Sequence, residues 1–174
     1  LSLRMEDGAE ALVKILTAEG YVQKENTGGS FAHLPKKGDR CDWKNGYLHG
    51  FTDTYHVAGY GREWQEETYE PFWFRTYRFI GLEIQTGKEP LKITGFDYLE
   101  TGYPLEVKTE VATSDESLAP IWDISLRTLK RCMHETYEDC PFYEQLQYAM
   151  DSRSQILYTY MVSGDDRLAR KCMA

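Results

Sequence analysis

Apolar and polar positions alternate through roughly the first two thirds of the chain, which predicts β-structure there, and recur at helical spacing in the last third. Over residues 9–22, Val13, Ile15 and Thr17 alternate with Lys14 and Leu16, as in a strand with one well-buried face. Abundant Ala and Leu leave a helix over 8–16 as the competing reading. Residues 23–50, with Gly28-Gly29, Pro35 and Asn45-Gly46, read as a long loop region with short strands at most. A strand is predicted from Phe51 to Tyr60, ending at Gly59 and Gly61. Over 64–84, Phe74, Ile80, Leu82 and Ile84 share one parity while Tyr77 and Phe79 take the other. That predicts one long strand, apolar on both faces, as in a sandwich interior. Short strands at Leu91–Ile93, Phe96–Leu99 and Leu105–Val111 follow, separated by Gly95 and Gly102.

The period changes at 112–116, Ala-Thr-Ser-Asp-Glu. Ser114 fits an N-cap, with acidic residues behind it to complement the helix dipole. Leu118, Trp122, Leu126, Leu129 and Met133 then recur on one helical stripe. Helices are predicted at 115–134, at 142–162 and from 166 onward, with Gly164 as a break. Strands first and helices second give an α+β chain with two segregated domains: a β-sandwich over 1–112 and a helical part over 113–174.

Candidate chemistry gathers in 136–155. Asp139 and Pro141 have the form of a helix start. On a helix running on from there, Glu144, Tyr148 and Asp151 share one face, while Leu146, Met150, Leu157 and Met161 form an apolar stripe that anchors it. Two carboxylates and a ring, with Asp139 at the helix mouth, suit sugar chemistry: one carboxyl donates a proton, others hold hydroxyls, and the ring packs on the sugar. Spacing alone does not decide this, because acidic residues seven apart on a helix more often mark a solvated face.

The stretch as a whole is more specific. Glu138-Asp139-Cys140-Pro141-Phe142-Tyr143-Glu144-Gln145-Leu146-Gln147-Tyr148-Ala149-Met150-Asp151-Ser152-Arg153 resembles the catalytic motif of the α-L-rhamnosidases of glycoside hydrolase family 78. Ser163–Lys171 resembles that family's next helix, and Trp122–Leu129 its preceding one. The aromatic-rich strands of 64–84 and Tyr103–Val107 are similar, less specifically, to the β-sandwich that precedes the catalytic domain in these enzymes.

The resemblance implies an (α/α)6 barrel, of which 113–174 would be the first helices, and an inverting hydrolysis that releases terminal α-L-rhamnose. It implies Glu144 as general acid, Asp139 and Asp151 as carboxylates that hold the rhamnosyl hydroxyls and tune the acid, and Tyr148 as a ring lining the sugar pocket. The commoner form of the motif has an Arg shortly after Cys-Pro and one more residue before the Glu. Here Tyr143 fills the gap, and the seven-residue step from Glu144 to Asp151 is kept. Inverting enzymes hold acid and base about 6.5–9.5 Å apart so that a water fits between them. The family's base is a Glu much later in the barrel, which places it beyond Ala174. Twelve helices of about 11–12 residues need some 130 residues before loops, whereas 62 follow Ala112 (174 − 112). The chain, which opens at Leu1 without Met, is therefore expected to be an excerpt that is inactive alone.

Composition narrows the partners. A net charge of −8, with no Lys/Arg-rich block, argues against binding nucleic acid through its phosphates. No apolar run approaches the roughly 18–20 residues that cross a bilayer, and no signal segment is present. Cys41, Cys132, Cys140 and Cys172 lack Cys-x-x-Cys spacing and read as buried thiols in preference to a disulfide pair or a metal site, which mildly favours a reducing compartment, the cytoplasm, or a large enzyme. His33 and His49 fall in loop sequence, and neither a metal nor any other cofactor is assigned. Thirteen Tyr and four Trp are compatible with carbohydrate binding, although packing is the commoner role for Trp73 and most of the tyrosines. A rhamnosyl glycoside or oligosaccharide is the expected partner; aglycone and oligomeric state stay open. Three alternatives stand beside this reading: a non-catalytic carbohydrate-binding sandwich, a sandwich that only mediates oligomer contacts, and another inverting glycosidase or lyase on the same barrel scaffold.

Overall fold

A computed structural model describes residues 1–6, 10–23, 35–59 and 66–173. Gly28-Gly29, His33, Tyr60, Gly61 and Trp64, singled out above, lie outside the described residues. The chain divides into two compact units, Leu1–Leu99 and Glu100–Ala174.

Among the described residues the first unit holds eight strands: β1 (Ser2–Glu6), β2 (Ala11–Ala18), β3 (Tyr21–Val22), β4 (Tyr47–Leu48), β5 (Phe51–Val57), β6 (Glu67–Tyr69), β7 (Phe79–Thr86) and β8 (Lys92–Asp97). They form antiparallel sheets in the orders β6-β1-β8, β5-β2-β7 and β3-β4. The strand reading of 11–18 holds over the helical one, since Val13, Ile15 and Thr17 are at most 1% exposed. These side chains point one way because strand side chains alternate between faces. Val13 and Ile15 meet Leu3 and Met5 of β1 and Val57 of β5 in one core cluster, so the two three-stranded sheets share apolar packing. Two tyrosines also reach across: Tyr55 Oη of β5 donates to Glu67 Oε1 of β6 at 2.9 Å, and Tyr69 Oη of β6 donates to Asp53 Oδ2 of β5 at 2.9 Å.

Two strand expectations are corrected here. The long strand over 64–84 is two strands, β6 and β7, with an irregular segment at 70–78 between them. Pro71 cannot donate to a ladder at that point, and strands tolerate it only at edges or ends. Leu82 and Ile84 are 40% and 37% exposed, so the apolar parity does not mark two covered faces. Gly95 does not separate strands. β8 runs through it opposite Arg4, where a Cβ would meet the Arg4 guanidinium, and the register shifts between Arg4 and Met5.

In the second unit a 3-10 turn (Glu116–Leu118) leads into α1 (Ala119–Arg131), followed by α2 (Ala149–Val162) and α3 (Arg167–Met173). The cap is Asp115, one residue past the expected Ser114: its carboxylate accepts the Ser117 N–H at 3.0 Å. Leu129 and Met133 of the predicted stripe are buried, with Trp122 and Leu126 packed beside them. They meet Tyr137, Val162, Leu168 and Leu105 in this unit's core. Leu105–Val111 is not a strand, and two of its N–H donors go to the end of a helix. Lys108 N–H and Thr109 N–H donate to the Val162 carbonyl at 2.8 and 3.2 Å, satisfying an acceptor that the last turn of α2 leaves open. Gly164 ends α2 as expected. It sits at φ +72°, the left-handed position that favours glycine just past a helix C-terminus, and its N–H bonds the Tyr160 carbonyl at 3.0 Å.

The helix expected from 142 begins at Ala149 instead. Its anchoring face is also different. Ser152, Thr159 and Val162 are buried, whereas Leu146, Met150, Leu157 and Met161 are each more than half exposed. The Thr159 hydroxyl is bonded in the core: Tyr137 Oη donates to Thr159 Oγ1 at 2.8 Å, and Thr159 Oγ1 donates to the Gln155 carbonyl at 2.8 Å.

Candidate active site

Between Tyr137 and α2 the chain makes a closed loop. Asp139 N–H donates to the Leu146 carbonyl at 2.9 Å, and Leu146 N–H returns to Asp139 Oδ1 at 3.3 Å. Inside that closure, Pro141–Glu144 form a turn. Cys140 Sγ accepts the Glu144 N–H at 3.2 Å, and the Cys140 carbonyl accepts the Gln145 N–H at 3.1 Å. Gln145 stands at φ +54°, a left-handed conformation uncommon for a residue with a Cβ. Its side chain offsets that cost in part by donating from Nε2 to the Pro141 carbonyl at 3.0 Å.

Asp139 thus acts as a cap, though not the cap of a helix through 142–148. Glu144 sits on the turn, Tyr148 takes extended backbone (φ −117°, ψ 139°) immediately before α2, and Asp151 lies in the first turn of α2. The shared helical face predicted for Glu144, Tyr148 and Asp151 is therefore replaced by a loop and a helix start. Asp151 there complements the positive end of the helix dipole.

The loop nonetheless brings the acidic residues and the ring together. Burial pushes the Asp139 carboxyl up, but hydrogen bonds from the Cys140 N–H, the Glu144 side chain and the Leu146 N–H outweigh it and hold the group below the usual carboxylate range. The Tyr148 phenol is raised, first by the hydrogen bond it donates to Glu144 and then by the charge of Glu144; the charges of Asp139 and Asp151 add to this. Glu144 is thus a cause common to both shifts, and its carboxyl lies near Asp139 and Tyr148. Glu144, Tyr148 and Asp151 are exposed to solvent and Asp139 is half-buried. Two other concavities of this unit, one around Lys108 and Asp165–Arg167 and one around Gly102 and Arg127, lie away from the loop.

Behind the loop is a buried layer to which the motif reading gave no role. Glu138 is 2% exposed and its Oε1 lies 3.1 Å from His134 Nδ1. Gln155 Nε2 of α2 donates to the Glu138 carbonyl at 2.7 Å. Cys132, buried beside them, has its thiol pushed up to about 11, by burial first and then by the charge of Glu138. The four cysteines are free thiols, but only Cys132 is fully buried and Cys41 is exposed, which corrects the expectation of four buried thiols. A second polar cluster closes the start of α3: Asp165 accepts from Tyr103 Oη at 2.8 Å and from Arg167 Nη2 at 2.6 Å, and the Arg167 bonds hold its carboxyl far below the usual range. The long-range members, Gln155 in the first layer and Tyr103 in the second, do not show in linear spacing, since the fold brings them in from distant sequence.

Among the described residues no group of three or more His, Cys, Asp or Glu is placed to hold a metal ion, and no helix is long and apolar enough to cross a membrane. No curated protein matches the chain, and no solved structure matches it. Residues 106–174 match a family model described as the bacterial alpha-L-rhamnosidase 6 hairpin glycosidase domain. That segment contains the whole Asp139–Asp151 loop and all three helices. Over those residues the family matched is thus the bacterial rhamnosidases of the six-hairpin kind, in agreement with the resemblance carried by Glu138–Arg153.

Proposed function

We propose that this chain is part of a glycoside hydrolase of family 78 that releases terminal α-L-rhamnose with inversion, and that the loop between Asp139 and Asp151 is the proton-donating side of its active site. The observation that carries the reading is the closed Asp139–Leu146 loop with Glu144 on its turn and Tyr148 and Asp151 beyond it, lying within the segment matched to a rhamnosidase domain. In this reading the N-terminal strands are a β-sandwich domain and the helices begin a six-hairpin barrel.

Asp139 takes backbone N–H donors from Cys140 and Leu146, which favour its ionised form, and this reading gives Glu144 the role of general acid, which must carry a proton. Glu144 gives that proton to the glycosidic oxygen as the bond from the anomeric carbon breaks and the electron pair leaves with the aglycone. A water adds to the anomeric carbon from the opposite face and gives its proton to a base that this reading places beyond Ala174. Asp139 and Asp151 accept hydrogen bonds from rhamnosyl hydroxyls, and Tyr148 lines the pocket while its hydroxyl orients Glu144.

The direct test is release of rhamnose from an aryl α-L-rhamnoside by the enzyme carrying this chain. Turnover that is lost in Glu144→Gln for a poor leaving group supports the assignment. Full activity of that variant on the same substrate removes it.

A further inference from the structure

Glu138 carries a carboxyl group that the proposed reaction does not use, yet the residue is 2% exposed. Its N–H, its carbonyl and one carboxylate oxygen each face a partner, while Oε2 is buried without a hydrogen-bond partner among the described residues. The N–H donates to the Cys132 carbonyl at 2.8 Å, the carbonyl accepts from Gln155 Nε2 at 2.7 Å, and Oε1 faces His134 Nδ1 at 3.1 Å. Burying such a pair adds little stability, because desolvation offsets the attraction and apolar residues of like volume commonly serve as well. What the arrangement does supply is placement. The Glu138 carbonyl belongs to the peptide unit that leads into Asp139, and Gln155 grips it from the second turn of α2. Gln155 Oε1 is buried without a hydrogen-bond partner among the described residues, a cost borne to keep Nε2 on that carbonyl.

We propose that Gln155, together with the Glu138–His134 pair, is a positioning residue for Asp139, fixing its backbone so that the carboxylate stays where it holds a sugar hydroxyl. The proposal rests on the reading of Asp139–Asp151 as a sugar site. The clamp ties the loop to α2 from behind, while the Asp139–Leu146 bonds close it in front.

The test is a double-mutant cycle read by calorimetric binding of L-rhamnose to the enzyme that contains this chain. Q155M keeps the length of the side chain and removes its donor. The expected result is about tenfold weaker binding in Q155M, D139N weaker still, and no further loss when Q155M is added to D139N, as for residues acting through one group. Unchanged binding in Q155M alongside a loss in D139N overturns the clamp alone, and so do losses that multiply in the double variant. Undiminished binding in D139N overturns the sugar site and the clamp with it. If Q155M does not fold, E138Q takes its place in the same cycle with the same three results decisive.

Discussion

Asp139 and Leu146 are bonded to each other twice, through N–H to carbonyl at 2.9 Å and N–H to carboxylate at 3.3 Å. This reciprocal pair closes residues 139–146 into a loop with Glu144 on its turn. It also means that the acidic cluster is held by backbone bonds and does not depend on helix periodicity.

Replacing Glu144 by Gln is expected to lower the rate on a rhamnoside with a poor leaving group by about 10²–10⁴, the range supplied by a positioned acid. An activated leaving group, which needs no proton, should be cleaved by the same variant at close to the parent rate. Steady-state kinetics on the two substrates checks both expectations.

Asp53 gives a pH-dependent handle on the first unit. Its carboxylate bonds Arg75 at 2.7 Å and Tyr69 at 2.9 Å, and the Arg75 bonds, foremost, hold its pKa below the ordinary value. A depressed carboxyl stabilises the fold fully above its unfolded value and loses that contribution as pH falls through the folded value. Asp53→Asn should therefore cost about 1–2 kcal/mol near neutrality, after allowance for partial exposure, and nearly nothing in strong acid. Urea unfolding of this unit at pH 7 and pH 2.5 measures the difference. The Tyr69 phenol, pushed up to about 12 by burial and then by its bond to Asp53, should titrate closer to its ordinary value in the variant.

The buried Tyr137–Thr159 pair should respond asymmetrically. Thr159→Val strands the hydroxyl of Tyr137, a residue with no exposed surface, at a cost of about 1–3 kcal/mol. Tyr137→Phe leaves Thr159 Oγ1 still donating to the Gln155 carbonyl, so its cost is expected nearer about 1 kcal/mol. Equilibrium unfolding of the two variants ranks them.

Gly50 lies between β4 and β5, where an added Cβ would collide with the Thr17 carbonyl. The clash is with backbone of the central strand β2 and cannot be relieved by rotating a side chain. Gly50→Ala should destabilise the first unit by about 1–3 kcal/mol, readable as a fall in Tm.

How far the sequence alone reached can be seen residue by residue. Alternation at Val13, Ile15 and Thr17 fixed β2, because a strand with one covered face leaves a period-two record. Gly164 marked the end of α2, since glycine alone takes φ +72° without cost. The motif named Asp139, Glu144, Tyr148 and Asp151, and its resemblance agreed with the family matched over 106–174. Periodicity could not tell which face of α2 is covered, and it chose Met150, Leu157 and Met161 where packing chose Ser152, Thr159 and Val162. Apolar spacing records what could be buried, while the buried side depends on neighbours distant in sequence. The same limit explains the loop: residues 142–148 have helical spacing, but the Asp139–Leu146 bonds and the positive φ of Gln145 turn the chain aside until Ala149. Residue types therefore determined which side chains the motif singles out, and tertiary hydrogen bonding decided where the fold sets them.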